Sequence, residues 1–309
     1  MMQMPGRQRG VAVLTAMLVL TLGTMIAVNM MWDASLQQRR ASTGLAADQG
    51  LAYLQGAEAW AGDILRQDKV DAPQSDHLGE PWAAELPPLP VDGGAISGRL
   101  EDLQSRFNLN NLVTQQGAVD SAAVAQFERL LAVLGLNPGT AGIVVDWIDA
   151  DGDTYFPGGA EDDAYAGANP PYRTPNWPIT SASELAAMIG IEAEDYRALL
   201  PYVTALPPGT RLNVNTASAP VLASLSDDID LSRAASLVEQ RGTAGFADID
   251  AALGEFIAPD LRERIEGTSN YFLLSATVVL GTHHFTLYSV LHRHQSGLAG
   301  AVFRSLGVQ

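Results

Sequence analysis

Apolar residues form one uninterrupted run near the N-terminus. From Gly10 to Trp32 there are 23 residues without a charged side chain. At about 1.5 Å per residue, a helix of that length spans roughly the 30 Å core of a bilayer. Arg7 and Arg9 precede the run and Asp33 follows it. The positive-inside tendency therefore predicts a cytoplasmic N-terminus and an exported remainder.

A cleaved secretory signal is the alternative interpretation of this run. The apolar region of such a signal usually has about 7 to 15 residues and ends in a small-x-small cleavage site. The end of the run, AVNMMWDASLQ, lacks a convincing site before the first charges. The pattern therefore favours a retained transmembrane helix over residues 11–32.

Helical periodicity continues beyond the apolar run. No proline occurs between Gly6 and Ala72. The apolar positions that recur at helical spacing are Leu36, Leu45, Leu51, Leu54, Trp60, Ile64 and Leu65. This spacing predicts one continuous helix from about Val11 to Gln67, amphipathic over residues 33–68. Each of four glycines weakens that helix by about 1 kcal/mol relative to alanine, so we expect its outer half to pack closely against a domain or another subunit. These glycines are Gly44, Gly50, Gly56 and Gly62.

Two segments have strand patterns. Residues 71–94 are rich in proline and glycine and predict an irregular connection over the surface. Gly94 to Gln104 predicts an early strand. Asn270 to His294 is rich in β-branched and aromatic residues, breaks at Gly281 and Thr282, and predicts a β-hairpin.

Internal repeats indicate a helical region between these strands. Leu134–Ala150 and Ile189–Ala205 align at an offset of 55 residues, and each runs from an apolar-Gly-apolar turn into a helix. Each is preceded by another helical stretch, so each unit predicts helix, glycine turn, helix. Ser181 and Glu184 have the spacing of a capping box.

A shorter repeated sequence indicates a third helical unit. Arg106–Val113 reads RFNLNNLV and Arg211–Ser218 reads RLNVNTAS. The second is similar to the start of helix-hairpin-helix modules, with Thr216 or Ser218 as the helix cap and Pro220 in the first turn.

The charge balance limits the partners of the chain. There are 35 acidic and 18 basic residues in 309, a formal charge of -17, and Lys69 is the sole lysine. Nucleic acid and anionic lipid are therefore unsuitable partners for most of the chain, because phosphate binding needs clustered cations. There is no cysteine, which excludes disulfides and thiolate chemistry.

No catalytic motif appears in the sequence. GxSxG, HExxH and phosphate-loop patterns are absent. His292 and His294 share a strand face and could ligate zinc, but the sequence fixes no third ligand beside them. We therefore expect exposed strand histidines and a protein that is not an enzyme.

Acidic residues concentrate in the segment DWIDADGDTYFPGGAEDDAY, residues 146–165. Its carboxylates are Asp146, Asp149, Asp151, Asp153, Glu161, Asp162 and Asp163, with no cation among them. Calcium takes six to eight oxygen ligands, and alternating aspartates in a glycine-rich loop can supply them. The spacing differs from an EF-hand, since Gly152 is fourth from Asp149. The pattern predicts a Ca²⁺ site formed by Asp149, Asp151, Asp153, Glu161, Asp162 and Asp163, with a solvated acidic loop as the alternative.

The start of the chain resembles a type IV pilin or pseudopilin. A short basic leader ends in glycine, a hydrophobic helix begins at once, and an amphipathic continuation follows. The resemblance implies that a prepilin peptidase removes residues 1–10, cutting after Gly10, and methylates Val11. Most members have glutamate as the fifth mature residue, where this chain has Thr15. That departure is characteristic of the minor pseudopilin K of type II secretion, which is also unusually large.

This resemblance implies a fold and a place in the cell. The fold is α+β: a long N-terminal transmembrane helix and a pilin-like antiparallel β-sheet from residues 69–104 and 268–309. A large α-helical domain of helix-hairpin-helix or SAM-like repeats, residues 105–267, is inserted in it. The chain would be a single-pass inner-membrane protein with most of its mass in the periplasm. Calcium bound by the acidic stretch of the helical domain is a property of the family.

The resemblance also implies partners. The chain would cap the tip of a periplasmic pseudopilus and initiate its assembly with the I and J minor pseudopilins, and with H through them, for export of folded proteins across the outer membrane. Secreted substrates and the secretin are further expected contacts. A buried glutamate needs a neighbour's charged N-terminus, so a tip subunit with none ahead of it can dispense with that carboxylate.

The alternative function is a membrane-anchored helix-hairpin-helix receptor for DNA uptake. DNA-binding modules of this kind need a glycine-rich hairpin with nearby cations. The turn of the third unit, LSDDIDLSR, contains Asp227, Asp228 and Asp230 instead. Phosphate would be repelled there, so the pattern favours packing over DNA binding.

Overall fold

A computed structural model describes residues 9–85 and 87–307, so residues 1–8 of the predicted leader lie outside it. Helix α1 runs from Arg9 to Asp71 without a break. This agrees with the predicted continuous helix and extends it beyond Gln67. Among the described residues, α1 is the one helix long and apolar enough to cross a membrane, with a mean hydropathy of 2.4 in its most apolar window.

The remaining α-helices of the described residues are short and lie between the second and the seventh strand. They are α2 (Ser121–Val133), α3 (Thr140–Ile148), α4 (Asp162–Tyr165), α5 (Ala193–Leu199), α6 (Ala219–Ala223), α7 (Leu231–Arg241), α8 (Ile249–Leu253) and α9 (Pro259–Arg262). The strands are β1 (Leu89–Val91), β2 (Gly94–Asp102), β3 (Phe107–Asn108), β4 (Val203–Thr204), β5 (Leu212–Asn213), β6 (Ile265–Glu266), β7 (Tyr271–Leu280), β8 (His283–Arg293) and β9 (Ala299–Leu306).

Five of the strands form one antiparallel sheet in the order β1-β2-β7-β8-β9. The predicted early strand is β2, and the predicted hairpin is β7 and β8, which turn at Gly281 with a φ of 58°. Two edge strands were not predicted. β1 lies in the segment expected to be irregular, and its Pro90 confines it to an edge. β9 follows the hairpin.

Helix α1 packs its outer half against one face of this sheet. Leu54 and Leu65 are fully buried there beside Phe272 of β7. A Cβ atom on Gly50 would lie 2.5 Å from the Phe285 ring, whereas one on Gly56 would meet no atom within 4 Å. Close packing therefore requires glycine at the first position and leaves the second open.

The chain between β2 and β7 forms the larger hydrophobic core. In the first repeat unit, α2 and α3 flank a turn in which Gly135 has a φ of 73°. In the second unit a 3₁₀ turn over residues 182–187 takes the place of the first helix. The capping box of Ser181 and Glu184 is present there. In the third unit Ser218 precedes α6, but its hydroxyl makes no capping hydrogen bond.

The two asparagine-rich echoes occupy equivalent positions. Each begins a two-stranded parallel ladder, β3 with β4 and β5 with β6. Asn108 accepts a hydrogen bond from the backbone N–H of Asn110, and Asn213 accepts one from that of Asn215. Asn110 and Asn215 also each bond a neighbouring segment through both amide atoms. The two similar sequences therefore form the same asparagine hydrogen bonds at the start of each parallel ladder.

A buried arginine joins the long helix, the sheet and the connection that follows the helix. Arg293, at the end of β8, is 1% exposed. Its guanidinium donates to Asp68 of α1 at 2.7 Å, to Asp76 of the connection, and to the carbonyl of Ser269 at 2.6 Å. Asp76 in turn contacts the helical region, since its backbone carbonyl accepts from Asn213 Nδ2 of β5 at 3.1 Å. Because Asp68 lies at the C-terminal end of α1, these contacts hold the helical region at the end of α1 farthest from the apolar run.

Candidate metal centre

The acidic loop lies against helix α3. A Cβ atom on Gly142 of α3 would lie 2.8 Å from the carbonyl oxygen of Pro157, and one on Gly158 would lie 2.6 Å from that of Gly139. Gly158 also has a φ of 90°, a conformation that favours glycine. The glycines therefore let the loop return against the start of α3. The loop thereby brings the acidic segment that begins at Glu161 back toward the C-terminal end of α3.

Three of the six predicted ligands converge. Asp149 caps the C-terminus of α3, Asp151 follows it, and Glu161 is the N-cap of α4. One carboxylate oxygen from each can be chosen so that all three lie within 4.8 Å of one another. Two oxygens that each lie 2.3 to 2.6 Å from one Ca²⁺ ion are at most about 5 Å apart. The three side chains therefore have the spacing of a shared cation site.

Two of these carboxylates are deeply buried and incompletely paired. Asp149 is 2% exposed and Glu161 is 7% exposed. Asp149 Oδ1 and Glu161 Oε1 are buried with no hydrogen-bond partner. Glu161 Oε2 accepts a hydrogen bond from the Thr174 hydroxyl at 3.3 Å. A buried acceptor that lacks a donor costs about 1 to 3 kcal/mol, so each free oxygen would gain from a cation.

Burial and mutual repulsion hold these groups toward their protonated forms. Burial, followed by the charges of Asp151, Asp146 and Glu161, raises the pKa of Asp149 to about 7. Burial and the nearby Asp146 charge raise the pKa of Glu161 as well. A bound divalent cation reverses this balance, because it favours the ionised carboxylates.

The other three predicted ligands, Asp153, Asp162 and Asp163, lie outside the converging group. The backbone N–H of Asp153 donates to Asp151 Oδ1, and the Asp153 side chain is outside the converging group. Asp162 accepts from the backbone N–H and the hydroxyl of Thr174, each at 3.1 Å. Asp163 is exposed in the first turn of α4. Only the first of the three consecutive acidic residues thus turns toward Asp149.

Asp146 has a positioning role that the sequence-based ligand set omits. It is fully buried on α3, and its Oδ1 accepts from the backbone N–H of Tyr155 at 2.9 Å. Its Oδ2 packs against Gly159, where a side chain would clash with it. Asp146 therefore pins the loop to α3 and adds negative charge beside the three converging carboxylates.

Comparison with known proteins identifies the family. Two family models described as type II secretion system protein K match residues 105–208 and 212–267. The type II secretion system protein K of Pseudomonas aeruginosa is 36% identical, with 97% of this chain and 93% of that protein covered. The corresponding protein of Klebsiella pneumoniae is 34% identical, with 98% and 97% covered.

The chain belongs to the type II secretion system protein K family. A solved structure agrees with this result: the crystal structure of the GspK-GspI-GspJ complex from the enterotoxigenic Escherichia coli type 2 secretion system. It has a TM-score of 0.76 and 26% sequence identity, and covers 87% of this chain and 100% of that chain.

The two segments matched by the protein K family models correspond to the two parallel ladders that begin at the asparagine-rich segments. The first matched segment begins just before β3 and ends soon after β4, and the second begins at β5 and ends just after β6. Each model therefore spans one parallel ladder together with the helices it encloses. The acidic loop lies within the first matched segment.

The predicted fifth mature residue forms its hydrogen bond within its own helix. Thr15 lies on α1, and its hydroxyl donates to the carbonyl of Ala12 at 3.0 Å. The hydroxyl thus satisfies its hydrogen bond within the helix. Gly10 and Val11, the predicted cleavage position, lie in the first turn of α1.

Proposed function

We propose that this chain is the minor pseudopilin that caps the tip of a type II secretion pseudopilus and initiates its assembly with the I and J minor pseudopilins, without enzymatic activity. Membership of the protein K family supports this role, as does the similarity to a solved GspK-GspI-GspJ complex. Prepilin peptidase would cut between Gly10 and Val11, and residues 11–32 would hold the mature chain in the inner membrane. H would join through I and J, and secreted substrates and the secretin would be later contacts.

The position of the helical region supports a tip location. In a pilin-like filament, subunits stack through their long helices. Arg293 binds Asp68 and Asp76, and the carbonyl of Asp76 accepts from Asn213, so the helical region is held at the outer end of α1. A domain of that bulk would leave no room for another subunit above it. Thr15 agrees with this position, since a subunit with none ahead of it needs no carboxylate for a neighbour's N-terminus.

Calcium binding to the acidic loop is the second part of the proposal. The converging oxygens of Asp149, Asp151 and Glu161 support it, together with the unpaired buried oxygens of the first and third. The ion would tie the end of α3 to the start of α4. Its role would be structural, because a loop with this many buried carboxylates is otherwise destabilised by repulsion.

The acidic turn between α6 and α7 argues against the DNA-receptor alternative. Asp230 caps α7, and Asp227 is exposed beside it in the turn where a phosphate would have to bind. The two hypotheses predict different partners, so capture experiments separate them. The full chain in detergent should retain I and J pseudopilins and release DNA at physiological salt. Tight DNA binding with no pseudopilin captured would overturn the proposal.

A further inference from the structure

A second group of three carboxylates converges outside the helical region, where α1 meets the connection that follows it. Asp68 lies in the last turn of α1, and Asp76 and Glu80 lie in the connection. One oxygen from each can be chosen so that all three lie within 4.8 Å of one another. All three residues are buried. We call Asp68, Asp76 and Glu80 the junction group.

The positive charge beside the junction group does not balance it. Arg293 donates to Asp68 and to Asp76, and it supplies one positive charge against three negative ones. A further buried carboxylate, Asp102, lies close enough to Asp76 for the two charges to repel. The hydrogen bonds that Asp102 accepts come from neutral groups. The ionised junction group therefore keeps at least two uncompensated negative charges.

Glu80 contributes an unpaired oxygen to this group. Its Oε2 accepts from the indole N–H of Trp82 at 2.6 Å and from the backbone N–H of His77 at 2.9 Å. Its Oε1 has no hydrogen-bond partner, although Glu80 is only 7% exposed. Next to burial, the Glu80 charge is the main cause that raises the pKa of Asp68 to about 7. Native proteins rarely leave a buried acceptor unpaired, so Oε1 indicates a missing positive ligand beside Asp68.

The imidazole of His77 does not supply that charge. Its Nε2 lies 3.6 Å from Glu80 Oε1, which is too far for a hydrogen bond. The backbone N–H of Gly79 donates to His77 Nδ1 at 3.2 Å. A ring nitrogen that accepts a hydrogen bond carries no proton, so the His77 ring is neutral in this arrangement.

We infer that the junction group binds a divalent cation of the Ca²⁺ type, at a site separate from the acidic loop. One divalent ion matches the two net negative charges of Asp68, Asp76, Glu80 and Arg293. Ca²⁺ accepts carboxylate oxygens in flexible geometry, and water completes its six to eight ligands. The bound ion ties the last turn of α1 to the connection. This inference does not rest on the calcium part of the proposed function.

The neighbouring arginine sets the strength of the site. Arg293 repels a cation, whereas the acidic loop has no such charge among its three converging carboxylates. The junction group should therefore fill only well above the Ca²⁺ concentrations that saturate the loop. We expect a Kd of about 10⁻⁴ to 10⁻³ M, the range of extracellular calcium modules.

The junction site is tested in a chain whose acidic loop cannot bind. Asp149→Asn, Asp151→Asn and Glu161→Gln together remove the charges of the converging loop carboxylates. Equilibrium dialysis with radioactive Ca²⁺ at about 5 mM, above the expected Kd, counts the ions bound by this loop-neutralised full chain in detergent. We expect one Ca²⁺ per chain.

Two further variants of the loop-neutralised chain locate that ion. Glu80→Gln keeps an oxygen for the Trp82 indole and removes the charge, so it should fold and lose the bound Ca²⁺. Glu85→Gln makes the same chemical change at an exposed position of the connection and should retain it. Thermal unfolding is the second measurement. Ca²⁺ should raise the Tm of the Glu85→Gln chain and leave that of the Glu80→Gln chain unchanged.

The outcomes separate this inference from the calcium proposal. If the loop-neutralised chain binds no Ca²⁺ at this concentration, the inference is wrong, whatever the unchanged chain binds. If Glu80→Gln and Glu85→Gln retain equal amounts of Ca²⁺, the ion lies elsewhere and the inference is also wrong. The loop is judged independently, because its site predicts tighter Ca²⁺ binding by the unchanged chain than by the loop-neutralised one.

Discussion

Replacement of Arg293 by methionine should be among the most destabilising single changes in the sheet. The substitution preserves much of the side-chain volume over the Phe272 ring, which lies 5.0 Å from the guanidinium carbon. It leaves Asp68 and Asp76, which are 5% and 0% exposed, without their shared cation. Removal of one partner from a buried ion pair costs about 3 to 5 kcal/mol. We expect a loss of that size at pH 8.

The loss should depend on pH in a defined direction. Burial, together with the Glu80 charge, raises the pKa of Asp68 to about 7 even beside Arg293. A carboxyl whose folded pKa lies above its unfolded value contributes stability at low pH and loses it as pH rises through the folded pKa. Without the arginine that pKa rises further, so Arg293→Met should be less destabilising at pH 5 than at pH 8.

Denaturant unfolding of the full chain in detergent at both pH values measures these differences. Arg304→Met is the matched control, because Arg304 is 60% exposed and pairs with Glu58 across α1 and β9. Because Arg304 is exposed and Glu58 keeps the hydrogen bond from the Ser289 hydroxyl, we expect a loss of only about 1 kcal/mol. An Arg293→Met variant no less stable than Arg304→Met at pH 8 would refute the reasoning.

Three further predictions concern the packing of α1, the acidic loop and the processing of the N-terminus. Gly50→Ala should destabilise the packing of α1 by about 1 to 3 kcal/mol, because the added methyl group would meet the Phe285 ring. Gly56→Ala should stabilise the helix by up to about 1 kcal/mol, because nothing lies near that position. Thermal unfolding compares the two variants, and equal effects would contradict the packing. Ca²⁺ at 100 times its dissociation constant should stabilise the chain by about 2.7 kcal/mol. Asp149→Asn should abolish that gain and Asp153→Asn should retain most of it, so equal losses would argue against the converging group. Mass spectrometry of the mature chain should find Val11 as a methylated N-terminus, and an intact Met1 would contradict processing after Gly10.

The elements that the sequence predicts well are those with strong local signals. Helix α1 follows from an uninterrupted helical pattern without proline, and the β7 and β8 hairpin follows from β-branched residues around Gly281. The strand β9 has the sequence AGAVFRSL, whose small residues give a weak alternation. β9 forms because it pairs with the edge of β8. Pairing with a distant segment stabilises a strand without requiring an alternating pattern of apolar residues in its own sequence.

The calcium site remains a prediction, and the structure brings together three of its six predicted carboxylates. Acidic spacing identifies the loop, but Glu161, Asp162 and Asp163 are equivalent by composition. The start of α4 decides among them: Glu161 is the N-cap and turns inward, while Asp162 bonds Thr174. Asp146 is not among the predicted ligands. Its burial on α3 and its bond from the backbone N–H of Tyr155, which place its charge beside Asp149 and Glu161, are visible only in the folded chain.

The central claim is assembly at the tip of a pseudopilus, and stoichiometry tests it most directly. Native mass spectrometry of the full chain co-expressed with I and J pseudopilins in detergent measures the composition of the complex. We predict one copy of each subunit, because the helical region at the end of α1 prevents a second copy from stacking above. A complex that contains several copies of this chain, or none bound to I and J, would contradict the account.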